Sequence, residues 1–288
     1  MARGLFVGLT TLDCIYRVEH VPSADEKVVA QESLLVAGGP ATNAAVMFRH
    51  LGHEAVVVSA LGKHPVASLI RADLAEQKVQ LIDLMPDAVE PPPLSTILVT
   101  ATTGERAVVS RNAVGRQVAT PKGWETWLEG IDIILIDGHQ MALGQAVAQR
   151  AQQLEIPVVI DAGSWKPGFE KVLPLATGVI ASSKFRIPGQ TTAEGTLETL
   201  RQWGIMEVAM TFGQEPIWWR KGTTQGRVPV PQVPVEDTLG AGDFFHGAFC
   251  YYRLTLEFPE ALAAAARVAT HSCQFFGTRV GLRESKPG

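Results

Sequence analysis

Cysteine is scarce: three residues, Cys14, Cys250 and Cys273, serve a chain of 288. An odd number at wide spacings makes neither a disulfide framework nor a CxxC metal pair, so all three are expected to be reduced and buried. No apolar run approaches the roughly 18–20 residues of a membrane span, and the opening residues pass into a short strand-like run without a signal-peptide core. The expectation is a cytoplasmic protein with no membrane partner. Positive charge is not in excess either. Lys and Arg number 25 against 29 Asp and Glu, a net charge of -4, and no block of like charges supplies the basic field that nucleic-acid partners require. Several catalytic fingerprints are also missing. GxxxxGK[ST] and GxGxxG are absent, which removes the P-loop and dinucleotide signatures. The seven histidines form no HExxH or other zinc spacing, and without GxSxG the usual nucleophile elbow is gone.

What is present is a globular composition, 46% hydrophobic against 19% charged, which excludes disorder. Strand-period and helix-period segments alternate along most of the chain. Strands are expected at 5–9, 54–60, 131–136, 157–160, 178–182 and 207–211, and helices at 40–51, around 66–74, 140–153 and 192–203. Fully apolar strands separated by helices imply an α/β fold with a mostly parallel sheet covered on both faces. A Pro91-Pro92-Pro93 break precedes a hairpin, 95–100 and 106–110, turning at Thr102-Thr103-Gly104-Glu105. The last third carries an antiparallel pair at 217–220 and 226–230, then two helices, 241–256 and 259–276, with no strand between them.

Three local features carry chemistry. In Asp237-Thr238-Leu239-Gly240-Ala241-Gly242-Asp243, small residues surround a helix start. Their uncovered N–H groups and the helix dipole make an anion hole. Asp243 in the first turn suits a general base for phosphoryl transfer; alternatively the segment is a glycine-rich turn with a favourable first-turn acid. Gly38-Gly39-Pro40-Ala41-Thr42-Asn43 is a second glycine pair feeding a helix, where the backbone can approach a ligand and Asn43 offers donors and acceptors to a polyol or else faces solvent. Asp13, just past the first strand, can accept two hydroxyl hydrogen bonds or simply cap a turn.

Together these residues resemble the PfkB/ribokinase family of carbohydrate kinases across essentially the whole chain. GGPATNAAVMFRHLG (38–52) resembles the family's N-terminal signature and DTLGAGDFFHGAF (237–249) its C-terminal one. The resemblance implies a ribokinase-like three-layer α/β/α domain spanning 1–288, with a small β-sheet lid whose strands fall at about 14–21, 28–36 and 95–110. It implies Asp243 as the base, Gly240, Ala241 and Gly242 as backbone donors to the transferring phosphoryl group, and Asp13, Gly38, Gly39 and Asn43 as sugar-binding residues. ATP with Mg²⁺ is the implied cofactor, held by Ser182, Lys184, Thr211, Gly213, His271 and Gly277. Asp237 resembles part of a monovalent-cation (K⁺) site, and lid strands of this family suggest a homodimer.

The chain departs from the pattern in three places. The NxxE segment associated with Mg²⁺ reads Ser182-Ser183-Lys184-Phe185, Pro216 stands where a second glycine is usual, and GxDxxG reads Gly62-Lys63-His64-Pro65-Val66-Ala67. Within the family, the run Val7 to Tyr16 resembles the ketohexokinase and sulfofructose kinase branches, and the GGPAT sequence and missing Glu lean toward the latter. A ketohexose-like acceptor follows. An anionic sugar substituent would call for a lid cation, with Arg111 first, Arg106 second and Lys27 third in order of expectation; alternatively Arg111 is a solvated strand-end charge. His139, past a strand's C-terminal end, either contacts sugar or packs in its loop. Two rival readings are a nucleoside kinase of the same superfamily and a non-catalytic sugar-binding regulator.

Overall fold

A computed structural model describes residues 1–113 and 115–284. In chain order its elements are β1 (Arg3–Val7), β2 (Thr11–Val18), β3 (Glu32–Gly38), α1 (Pro40–His50), β4 (Glu54–Ser59), α2 (Pro65–Glu76), β5 (Gln80–Asp83), β6 (Leu94–Thr100) and β7 (Arg106–Ser110). A 3₁₀ turn at Trp124–Leu128 leads to β8 (Ile133–Ile136), α3 (Met141–Gln153), β9 (Val158–Ala162), α4 (Phe169–Val172), a second 3₁₀ turn (Leu173–Leu175), β10 (Gly178–Ser182) and α5 (Ala193–Gln202). Then come β11 (Glu207–Phe212), β12 (Glu215–Lys221), β13 (Thr224–Val228), α6 (Ala241–Arg253), α7 (Phe258–Ser272) and α8 (Val280–Glu284).

Nine strands form the large sheet in the order β13-β12-β11-β10-β9-β8-β1-β4-β5. The run from β11 to β5 is parallel, and only the β12–β13 edge is antiparallel. Its central strands are apolar at nearly every position because both faces are covered, and the two-residue period divides them. Phe6, Val57, Leu135 and Ile180 pack toward α1, α6 and α7. Leu5, Val58, Ile136 and Val179 pack on the opposite side, with α3 and α5. This is the three-layer ribokinase-like arrangement.

The small sheet has the order β3-β2-β6-β7. Its strands lie elsewhere than expected: β2 covers Thr11–Val18 rather than 14–21, and β3 covers Glu32–Gly38 rather than 28–36. The shift follows from pairing. Thr11 lies opposite Gly38 and Leu12 opposite both Ala37 and Leu94, so β2 begins almost as soon as β1 ends and Asp13 stands within a strand. Ile15, Val36, Ile97 and Val99 bury the inner face against Phe276. The hairpin appears where its turn residues placed it.

Other differences are at element ends. The two C-terminal helices stop at Arg253 and Ser272, three or four residues early. The short edge strand β5 and the four-residue α4 carry too few residues for a period to show. Of the cysteines only Cys250 is buried; Cys14 and Cys273 are half-buried, and all three are free thiols. No helix among the described residues is long and apolar enough to cross a membrane.

Candidate functional site

Two helices begin on glycine-rich turns at the C-terminal edge of the large sheet, and the chain treats their exposed amides differently. At α1, the Ala41 N–H donates to the Asp137 carboxylate at 3.2 Å. Asp137, at the end of β8, also accepts from the N–H groups of Leu9 and His139, each at 2.8 Å. Burial alone would raise its pKa, but the neighbouring His139 charge and these donors hold it at about 2. The start of α1 therefore has a resident anion. At α6, no side chain caps the helix. Gly240 stands at the N-cap with φ 71°, a left-handed conformation, and the first-turn N–H groups of Gly242 and Asp243 have no backbone acceptor in a preceding turn among the described residues. Of the two helix starts, α6 is the one left to receive an external anion.

That start opens on a cleft of about 500 Å³, whose walls include Thr211, Gly213, Val233, Ala241, Gly242 and Thr270. The expected nucleotide contacts divide here. Thr211 and Gly213 line the cleft; Ser182, Lys184, His271 and Gly277 do not. Ser182 donates its hydroxyl to the Gly163 carbonyl, Lys184 is exposed, and His271 packs edge-on against Phe275 at 5.2 Å. Gly277 is a brace: its N–H donates to Asp237 Oδ2 at 2.9 Å, while Leu239 N–H donates to Oδ1 at 2.8 Å. Asp237 thus ties two loops through both oxygens, with its pKa raised by burial. Arg106, close enough to act on that carboxylate, donates to Thr238 Oγ1 at 2.8 Å. Each oxygen of that carboxylate thus accepts one N–H, with acceptor capacity to spare.

The other side of the α6 start gathers the expected sugar residues. Asn43 Nδ2 donates to Asp243 Oδ2 at 2.9 Å. Asp13, 6% exposed, accepts from the hydroxyl of Thr11; burial pushes its pKa up against that donor and the charge of Arg279. Gly38 has no room for a side chain, since a Cβ there would lie 1.9 Å from Asp13 Oδ2. Asp243 itself is raised to about 7, first by burial and then by the charge of Asp161, with Asn43 and His246 opposing and Asp13 adding. A carboxylate poised near neutrality is what general-base chemistry at physiological pH requires.

Three cations were expected near an anionic substituent. Arg111 is exposed and follows Ser110, whose hydroxyl accepts from Ser95, the residue opposite Asp13 across β2 and β6. Arg106 stands in the cleft instead, beside Thr238. Lys27 lies with Tyr16 and Leu98 over the outer face of the small sheet, opposite the face that carries Asp13. His139 is 13% exposed, with Nδ1 at 3.1 Å from Asp137 Oδ1, out of line for a strong hydrogen bond; it braces its loop rather than joining Asp13 and Asn43.

Four residues escaped the sequence reading. Asp137 holds the α1 start. Asp161 is the penultimate residue of β9 and 7% exposed, His246 sits one turn beyond Asp243 with Nδ1 at 2.7 Å from the Gly242 carbonyl and Nε2 at 3.6 Å from Asp161, and Arg279 is 3% exposed. Asp161 carried a legible signal, an acid closing an apolar parallel strand at its C-terminal end. Arg279 carried none, because its partners are remote in sequence. Among the described residues no group of three His, Cys, Asp or Glu forms a metal cluster. Mg²⁺ needs only one or two carboxylates beside phosphates and water. The segment from Ser182 to Phe185 offers none, whereas Asp161, on the strand paired with β10, does.

A sequence model described as "pfkB family carbohydrate kinase" matches residues 1–285. A ribokinase of Lactococcus lactis is 24% identical over 98% of this chain and 94% of its own length. A solved protein of Agrobacterium tumefaciens, described as a candidate ribokinase, superposes with a TM-score of 0.86 at 27% identity, covering 98% of this chain and 94% of that one. An Arabidopsis thaliana ribokinase, solved with ribose and ATP, gives 0.78 at 19% identity over 96% and 93%.

Proposed function

Because this chain belongs to the pfkB family of carbohydrate kinases, phosphotransferases with an alcohol group as acceptor, we propose that it transfers the γ-phosphoryl group of ATP to a hydroxyl of a ketohexose-like sugar, of the fructose or sulfofructose type. The observation that carries the proposal is the pairing of an uncapped α6 start with Asp243 on its first turn, the carboxylate raised to about 7 and held by Asn43.

In this mechanism ATP fills the cleft beside Thr211 and Gly213, as ATP accompanies ribose in the Arabidopsis ribokinase structure. Asp13 and Asn43 accept and donate hydrogen bonds to sugar hydroxyls, and Gly38 and Gly39 let the ring approach. Asp243 takes the proton of the attacking hydroxyl. The N–H groups around Gly240, Ala241 and Gly242 offset charge on the transferring phosphoryl, so catalysis is positioning plus electrostatics. Mg²⁺, when bound with the nucleotide, neutralises phosphate charge, and Asp161 is the residue that would hold its water shell. The whole chain acts as one domain, with the small sheet as lid over the sugar and its outer face as the seam of a homodimer.

The ketohexose-like acceptor rests on the run from Val7 to Tyr16 and on Arg111, the exposed cation one residue beyond Ser110, which accepts from Ser95 opposite Asp13. A panel of fructose, ribose, adenosine and anionic ketohexose derivatives in an ADP-release assay tests it. The highest kcat/KM is expected for a ketohexose, with Arg111→Ala raising KM selectively for the anionic derivatives. Preference for adenosine would replace this reading with a nucleoside kinase, and sugar binding without ADP release from any compound would replace it with a regulator.

A further inference from the structure

Arg279 is a fully charged side chain, 3% exposed, in the short segment between α7 and α8. Its guanidinium joins parts of the chain that are remote in sequence. Nη2 donates to Asp73 Oδ2 on α2 at 2.9 Å and to the carbonyl of Ala37 in β3, and Nη1 donates to Asn43 Oδ1 on α1 at 3.3 Å. Asp73 Oδ2 in turn accepts the Ala37 N–H at 3.1 Å. The pair therefore grips both backbone groups of the residue from which the small sheet hangs.

The consequence lies at Asn43. One end of its amide faces a guanidinium, which can only donate, and the other faces the Asp243 carboxylate, which can only accept when ionised. Only one amide orientation satisfies both, with Oδ1 on Arg279 and Nδ2 on Asp243. We infer that Arg279 is a positioning residue for phosphoryl transfer: it locks Asn43 so that the amide holds the base carboxylate, and it ties that setting to the strand end at Ala37. This rests on the proposed role of Asp243. Arg279 itself reaches neither the base nor the phosphate cleft, and its influence passes through Asn43. The groups facing Asp243 from the packed elements are Asn43 on α1, Asp13 on β2, Asp161 on β9 and His246 on α6 itself; of these only Asn43 is bonded to Arg279.

Removing Arg279 alone strands the half-buried Asp73 charge and risks unfolding, so the test uses the double variant Asp73→Asn/Arg279→Gln in the full-length protein, with Arg279→Lys beside it. Lys keeps the charge for Asp73 but loses the planar fork that serves Asp73, Ala37, Asn43 and Thr278 at once. Two readouts are taken: sugar-dependent kcat and KM, and the ¹³C-carboxyl NMR titration of Asp243, assigned by its loss in Asp243→Asn. In the folded variants kcat is expected to fall by ~10²-fold, the scale of a misplaced reacting group, with KM changed much less. The Asp243 midpoint is expected to move upward by roughly one pH unit as the Asn43 donor is released. An unmoved midpoint, or a kcat loss that only tracks the unfolded fraction in thermal melts, overturns the inference. If the unsubstituted protein phosphorylates no sugar, the proposed function fails, while the titration still decides whether Arg279 sets Asn43 against Asp243.

Discussion

Asp137 is buried and Asp243 half-buried at the same edge of the sheet, and their surroundings drive the two carboxylates apart, to about 2 and about 7. Asp137 is surrounded by donors, whereas Asp243 has one firm donor, Asn43, and faces Asp161 and Asp13. The two must therefore affect stability with opposite signs. Asp137, depressed, stabilises the fold above pH ~4 and loses that contribution as pH falls toward 2. Asp137→Ala is expected to lower unfolding free energy at pH 7 by about 2–4 kcal/mol, since three backbone donors lose a charged partner, measured by urea titration. Asp243, raised, costs stability progressively as pH climbs from ~4 through 7. Asp243→Asn should therefore raise Tm above pH 7, by roughly 2–4 °C per kcal/mol relieved, with little change at pH 4. An equal effect at both pH values would contradict the raised base.

At the scale of elements, the decisive contrast is between the starts of α1 and α6. Both were legible as glycine-rich helix entries. What could not be read was that Asp137, far along the chain, fills the first and leaves the second open. Gly240 shapes that opening: its φ of 71° is left-handed, and a Cβ there would stand 2.7 Å from Thr278 Cγ2. Gly240→Ala is expected to cost about 1–2 kcal/mol from backbone strain alone and to weaken ADP affinity, read by calorimetry; unchanged affinity would remove the turn from the nucleotide site. The central strands were legible because burial on both faces makes them uniformly apolar. The first two strands of the small sheet lie two to four residues from their expected bounds because they carry Asp13, Thr11 and Gly38, chosen for the site rather than for β-propensity.

Across the whole molecule, the small sheet leaves an apolar outer face. Leu35 is 50% exposed and Val109 77%, beside Tyr16. The proposed homodimer covers it, so sedimentation should give twice the 31.0 kDa chain mass, and Leu35→Glu should return a monomer. A monomeric unsubstituted protein would contradict the dimer without touching the chemistry. The same scale explains what the sequence could and could not reveal about the site. Asp243 and Asn43 lie in signatures at opposite ends of the chain and were each recognisable, yet Arg279, which links Asn43 to Asp73 and Ala37, belongs to no local pattern. Both signatures converge on Asp243, and sugar-dependent ADP release by Asp243→Asn beside the unsubstituted protein decides whether it is the base. Sugar binding is expected to be retained, with turnover reduced by several orders of magnitude. Turnover within a few-fold of the unsubstituted protein would contradict it.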